Sequence, residues 1–235
     1  MTLFEDYDTA IRAFWAGRDL QTQKQIESGK VDAGTRGSVT GGQHLTALQD
    51  VIAEQFAPLV ALGAEVRRTG ILPLPGFYRR AKNWDIVVTL GNTLVAAIEC
   101  KSQSGSFGNN FNNRTEESVG SAVDLWRAYE AGYVGSVRPW LSFVFVIEHT
   151  SGSTTPVRDQ GRPLYPTDPV FDESSYTDRY SILFDRLVRE RLYDATCLIC
   201  TVKGEGIHAE PMPEVSTRNL TAAIEGRVAY IRGLG

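Results

Sequence analysis

The stretch Trp84-Asp85-Ile86-Val87-Val88-Thr89-Leu90-Gly91-Asn92-Thr93-Leu94-Val95-Ala96-Ala97-Ile98-Glu99-Cys100-Lys101 carries the sharpest structural signal in the chain. Two apolar, partly β-branched runs flank Gly91-Asn92, a turn-forming pair, so a β-hairpin is predicted here. Asp85 stands near the start of the first strand; Glu99 and Lys101 stand at the end of the second. Residues i and i+2 of a strand share a face, so Glu99 and Lys101 point the same way. Register decides whether Asp85 joins them. A two-residue loop sets Asp85 opposite Ile98, on the wrong face. A three-residue loop (Gly91 to Thr93) or a bulge sets it against Glu99, and this irregular version is the one expected.

Burying a carboxylate and an ammonium beside Ile86, Val87, Val95 and Ile98 is costly unless each finds a partner. Two carboxylates and one amine at one sheet end suit a hard divalent cation. Magnesium takes oxygen ligands, keeps several waters and bridges carboxylates to phosphate. It acidifies water and stabilises charge on phosphoryl oxygens, and Lys101 is placed to orient the attacking water. A salt bridge at a sheet end remains the competing reading, because an acid followed loosely by acid-any-Lys arises by chance about once in a chain this long. Of the five lysines, however, only Lys101 has an acid two residues before it.

Outward from the hairpin, apolar periodicity predicts helices over residues 4–28 and about 43–62, with an extended segment over 64–80 that holds the turn Leu74-Pro75-Gly76-Phe77. After Lys101, a polar loop from Ser102 to Asn113 is expected. Asn113 then reads as the N-cap, with Glu116 three residues on, of a helix to about Ala131 stopped by Gly132. Trp140 to Glu148 is a strong strand. Residues 149–174, rich in Pro, Ser, Thr and Asp, form a long excursion of the kind that often carries function. Helix about 175–192, strand about 194–202 and helix about 216–232 follow. Strands alternating with long helices indicate an α/β fold: a central mixed β-sheet flanked by helices, in a single domain spanning 1–235.

The totals agree with a folded, soluble chain: 235 residues, 42% hydrophobic and 22% charged. No apolar run approaches a membrane span and the N-terminus lacks a signal-peptide pattern, so a cytoplasmic location is expected. Three cysteines suggest reduced thiols rather than a disulfide framework. The net charge of −4 speaks only weakly against a nucleic-acid partner, because a nuclease concentrates carboxylates around its metal. Arginine outnumbers lysine 19 to five, a bias that suits bidentate contacts to phosphate or guanine.

The segment Ser102-Gln103-Ser104-Gly105-Ser106-Phe107-Gly108-Asn109-Asn110-Phe111-Asn112-Asn113-Arg114 packs amides and glycines around two phenylalanines. Side-chain amides pair with base edges and glycines let backbone approach DNA, which makes Gln103, Asn109, Asn110, Asn112, Asn113 and Arg114 candidates for DNA contact. A long polar turn is the bland alternative.

The acid, the acid-any-Lys and their hairpin resemble the PD-(D/E)XK nuclease fold. More narrowly, Leu94 to Tyr129 (Leu-Val-Ala-Ala-Ile-Glu-Cys-Lys-Ser-Gln, then Phe-Gly-Asn-Asn-Phe-Asn-Asn-Arg-Thr-Glu-Glu, then Asp-Leu-Trp-Arg-Ala-Tyr) resembles the XhoI-type family of type II restriction endonucleases. Thr40-Gly41-Gly42, Leu74-Pro75-Gly76-Phe77, Pro156-Val157-Arg158-Asp159 and Tyr180 through Tyr193 extend the likeness over most of the chain. The resemblance implies a homodimer that cuts double-stranded DNA at a short palindrome, CTCGAG in that family, with Mg2+. It implies 5′-phosphate ends and a host methyltransferase as functional partner. It assigns metal binding to Asp85, Glu99 and the backbone carbonyl of Cys100, and assistance of the water to Lys101. One departure is Trp84, which stands where the fold often has proline. A repair or structure-selective nuclease of the same fold, and a DNA-binding module without catalysis, are the rival readings.

Several residues are set aside. Glu54 lies opposite the apolar stripe of its helix and reads as an exposed glutamate. Cys197 and Cys200 have metal-like spacing but no second pair, and read as core strand residues. His44, His149 and His208 show no ligand spacing. Glu116 and Glu117 read as helix-start residues that suit the macrodipole. Arg158 and Arg162, in the long excursion, are the preferred readers of guanine, while Arg79, Arg80 and Lys82 suit phosphates.

Overall fold

A computed structural model describes residues 2–27, 43–68, 70, 72–158 and 163–234. Within it a six-stranded mixed sheet runs in the order β1-β4-β5-β6-β7-β8, built from β1 (Ala64–Arg67), β4 (Ile86–Leu90), β5 (Thr93–Gln103), β6 (Trp140–Glu148), β7 (Ala195–Thr201) and β8 (Ile207–Ala209). β5, β6 and β7 are parallel, and the outer pairings are antiparallel. A separate two-stranded hairpin pairs β2 (Pro73–Pro75) with β3 (Ala81–Asn83).

Helices cover both faces of the large sheet. On one face lie α1 (Leu3–Glu27), α2 (Thr46–Glu54), α3 (Ala57–Val60) and α7 (Thr217–Arg232); on the other lie α4 (Phe107–Glu130) and α6 (Tyr176–Arg189), with the short α5 (Ser151–Thr154) against α6. The strand alternation sorts the core. In β6, Val144 and Val146 pack toward the first face, while Phe143, Phe145 and Ile147 pack toward the second. Such double-sided burial gives a parallel central strand its unbroken apolar run. The fold is an α/β, restriction-endonuclease-like sheet sandwiched between helix layers, as expected.

Three local readings change. The expected helix over 43–62 is a 3-10 turn at Gln43–Leu45 followed by α2 and α3, with the break at Gln55-Phe56 just before Pro58, which cannot donate within a helix. The expected extended stretch over 64–80 resolves into β1 and the β2–β3 hairpin. The polar loop from Ser102 to Asn113 is largely absent. β5 runs on to Gln103, Gly105 (φ +72°) and Ser106 (φ +47°) turn the chain, and α4 starts at Phe107. Asn113 is therefore inside the helix and caps nothing. Low helix propensity in the Asn- and Gly-rich stretch is overridden by burial. Phe107 and Phe111, one turn apart, pack against Tyr176, and Phe111 also against Tyr180.

Candidate active site

The β4–β5 register is the first step in building the site. Gly91-Asn92 is a two-residue turn, with Leu90 opposite Thr93, yet Val88 pairs with Ala96 and Ile86 with Ile98. Val95 is the extra residue of a bulge, so the ladder continues with Asp85 opposite Glu99. Asp85 donates its backbone N–H to the Ile98 carbonyl at 3.2 Å, and its Oδ2 accepts the Cys100 N–H at 2.8 Å. Asp85, Glu99 and Lys101 all face the α4–α6 layer, because Val87 and Ala97 do and the pleat alternates. The irregular hairpin that the sequence required is the one that forms.

Glu99 is almost wholly buried, and both its oxygens are taken. Oε1 meets the Lys101 ammonium and Oε2 the Lys82 ammonium. Lys82 comes from β3, outside the main sheet; it lies 4.3 Å over the Trp84 ring and donates to the Asn83 carbonyl at 3.0 Å. From α4, Glu117 places Oε1 3.4 Å from Lys101 Nζ and pairs with Arg114 one turn earlier. Three acids (Asp85, Glu99, Glu117) thus interleave with three cations (Lys82, Lys101, Arg114).

Burial raises the Asp85 carboxyl above its ordinary value, and the charge of Glu99 raises it further, against the pull of the Cys100 N–H and the two lysines. Burial alone lowers the Lys101 ammonium, but Glu99 and Glu117 outweigh it and hold the group firmly protonated. The Glu117 carboxylate is lowered: burial opposes the shift, and Lys101 with Arg114 reverses it.

These groups fit a hard divalent cation. Asp85 uses Oδ2 on Cys100 and leaves Oδ1 for a ligand. In an extended strand the N–H and C=O of one residue point to the same edge, so the Cys100 carbonyl faces the side where β4 has ended. Two carboxylates and a carbonyl are oxygen donors throughout. Among the described residues no three His, Cys, Asp or Glu side chains form a closed cage, and magnesium, which retains waters, does not require one.

The other predicted residues separate into groups. Gln103 is buried, its amide donating to the Gly105 and Ser106 carbonyls while Oε1 accepts from Tyr180 at 2.5 Å. Asn110, Asn113 and Arg114 lie within about 60° of Glu117 around α4. Asn109, Asn112 and Arg158 instead line one open cleft of 420 Å³ on the helix's other side, together with Tyr176 and Arg179. Arg162 lies outside the described residues. Arg79 is held by Asp124 at 2.7 Å, and the same carboxylate accepts the Phe77 and Tyr78 N–H groups at 2.8 Å each. That grip fixes the β2–β3 turn and leaves no room at Gly76, where a Cβ would sit 2.5 Å from Asp124 Oδ2.

Glu54 is exposed and lines an apolar groove of 620 Å³ between α1 and α2, on the sheet's opposite face; among the described residues none that lines it is basic. The groove is larger than the cleft beside α4, but it lacks the chemistry for phosphate. Cys197 and Cys200 are free, buried core residues. His149 and His208, unrelated in sequence spacing, bring their rings to 4.2 Å. Two site members stand in other roles than the sequence suggested, Glu117 as a helix-start residue and Lys82 as a phosphate contact. Glu117 sits ten residues into α4 rather than at its start, and only the packing of α4 over β5 brings it to Lys101. Lys82 reaches Glu99 only because the β2–β3 hairpin folds beside Trp84.

Comparison with known proteins is consistent with this geometry. The family described as restriction endonuclease XhoI matches residues 24–210. The chain is 39% identical over 194 residues to the type II restriction enzyme BstVI of Geobacillus stearothermophilus, covering 78% of this chain and 86% of that one. It is 36% identical over 193 residues to the type II restriction enzyme XhoI of Xanthomonas vasicola, covering 78% and 76%. A third relative, the type II restriction enzyme AbrI of Azospirillum brasilense, is 42% identical over 142 residues, covering 59% of this chain and 64% of the relative. No solved structure matches. Among the described residues no helix is long and apolar enough to cross a membrane. With a profile match over most of its length and its acids and lysine gathered at one sheet end, the chain belongs to the XhoI family of type II restriction endonucleases, enzymes that cleave double-stranded DNA at specific sites.

Proposed function

We propose that this enzyme hydrolyses one phosphodiester in each strand of CTCGAG, with Mg2+, leaving 5′-phosphate ends. The observation that supports the chemistry is the pairing of Asp85 with Glu99 across the bulged hairpin, with the Lys101 ammonium on Glu99. The inherited recognition site rests on likeness to the relatives. Asp85 Oδ1, Glu99 and the Cys100 carbonyl would hold the ion. When bound, it supplies Lewis-acid stabilisation of the phosphoryl oxygens and acidifies water.

The chain's own residues do the rest. Lys101, kept protonated by Glu99 and Glu117, orients the attacking water and offsets charge gathering on the phosphate. Glu117 acts through Lys101 and is a positioning residue. Arg114, Asn110 and Asn113 on the active-site side of α4, with Asn109, Asn112, Arg158 and Arg162, contact DNA. Gln103 instead braces the β5–α4 turn through its buried amide.

Residues 1–235 act as one domain, and two copies assemble so that each reads half of the palindrome. The enzyme works in the cytoplasm, where a matching methyltransferase protects host DNA. Digestion of a fully sequenced plasmid with Mg2+ and with EDTA, every end being mapped, tests the reading. Magnesium-dependent ends at CTCGAG are expected. Ends at another palindrome would keep the chemistry and discard the site, and absence of cutting with any divalent metal would overturn both.

A further inference from the structure

The second cation on Glu99 has no part in the chemistry above. Lys101 and Lys82 each occupy one oxygen of the same buried carboxylate, and the Lys82 side chain is only 12% exposed. An ion held between Asp85 and Glu99 needs one of those oxygens. Lys101 is the worse candidate to leave, because Glu117 holds it from the other side at 3.4 Å. Among the described residues Lys82 forms no second ion pair; it feels the Asp85 charge from farther off, and its remaining contacts are the Asn83 carbonyl and the Trp84 ring.

Charge points the same way. Among the described residues, three acids balance three cations in the site. Adding a divalent ion to a buried, balanced cluster leaves it doubly positive, and a site with little water screens such an excess poorly. Withdrawal of one ammonium removes half of it. Lys82 is also built to withdraw. It stands on the short β2–β3 hairpin rather than in the main sheet, and four rotatable bonds let its ammonium leave Glu99 without backbone movement.

We infer that Lys82 is a placeholder for the metal: its ammonium occupies the Glu99 oxygen that a divalent cation needs and is displaced when the ion binds. The inference rests on the metal reading above and adds a competition to it. Lys82 keeps the buried carboxylates compensated until the ion arrives, so metal binding is weaker than the bare donor set would give.

The test uses Ca2+ as the probe, measured by calorimetry on the full-length protein without DNA, so that cleavage plays no part. Lys82→Met is expected to bind Ca2+ about tenfold more tightly than the wild type, since a competing charge is gone. Lys82→Arg, which keeps the charge, should stay near the wild-type affinity. In the wild type, Ca2+ should also change tryptophan emission as the ammonium leaves the Trp84 ring, and Trp84→Phe should abolish that change. Equal or weaker Ca2+ affinity in a folded Lys82→Met protein overturns the placeholder role. Should that variant fail to fold, Ca2+ binding to the wild type without any Trp84-dependent emission change overturns it instead. Failure of both wild type and Lys82→Met to bind Ca2+, Mn2+ or Mg2+ overturns the metal reading itself.

Discussion

The Asp85 carboxylate accepts the backbone N–H of Cys100 at 2.8 Å, so the first acid of the site is tied to the strand that carries the second. That bond exists only because the Val95 bulge shifts the ladder by one residue. It orients Asp85 while burial and Glu99 disfavour its charge, a combination that favours function over metal-free stability.

Asp85→Asn therefore has opposite effects on stability and activity. An acid raised in the folded state binds more protons there than when unfolded. Its ionisation thus lowers stability as pH rises past the ordinary Asp value toward the raised one, and stability stays lowered above it. The amide can still accept the Cys100 N–H. At pH 7 without metal, the variant is expected to melt higher, by about 2–4 °C for a gain near 1 kcal/mol in a chain this size, and to lose cleavage. Calorimetric melting in EDTA, beside a plasmid assay in Mg2+, checks both; a lower melting temperature would contradict the electrostatic account.

Lys101→Ala should keep DNA binding and lose cutting. A group that handles the attacking water contributes on the order of 10²–10⁴ in rate. Gel shifts on a CTCGAG duplex in Ca2+ should show wild-type affinity to within a few-fold, while single-turnover cleavage in Mg2+ falls by that factor. Wild-type turnover would remove Lys101 from the mechanism.

Glu117→Gln tests the positioning of Lys101 from α4. The Gln side chain keeps the shape but loses the charge that helps to hold the ammonium protonated. Supporting residues of this kind are typically worth about 10–100-fold in activity, so kcat should fall within that range with KM little changed. The alkaline limb of the pH–rate profile should also move to lower pH, because Lys101 loses one of its stabilising anions. An unmoved limb would reduce Glu117 to a structural contact.

His44 couples folding to pH on the opposite face of the sheet. Its ring packs edge-on to Phe14 at 5.4 Å, and its Nε2 lies 3.0 Å from Ser102 Oγ. Burial, with the charge of Arg18, lowers its pKa to about 4. The unfolded chain takes up a proton near pH 6.5 and the folded one does not, so stability is full above that value and declines as pH falls toward 4. The loss is on the order of 2 kcal/mol, readable as a shift in urea midpoint between pH 7 and pH 4.5. His44→Gln should flatten that dependence.

The sequence by itself determined the layered α/β plan and the identity of the central acids. Alternation in Trp84–Lys101 and the apolar run of Trp140–Glu148 read correctly because a strand's period is a property of its own backbone. The face shared by Glu99 and Lys101 was legible for the same reason, and the turn at Gly91-Asn92 reduced the register of Asp85 to one choice. The helix starts near 175 and 216 were likewise legible; Ser175 and Ser216 cap them, each accepting a backbone N–H three residues on.

Tertiary structure decided what local preference could not. The start of α4 moved back to Phe107 because aromatic burial against Tyr176 and Tyr180 outweighs the poor helix propensity of asparagine and glycine. Glu117 and Lys82 entered the site through the elements that flank the β4–β5 hairpin in sequence and fold back beside it, and His149 met His208 across a longer separation. Periodicity reports which face of an element is apolar, but not which element will cover it. Only packing of the helices and the small hairpin against the sheet, driven by burial of those faces, sets which charges meet at its end.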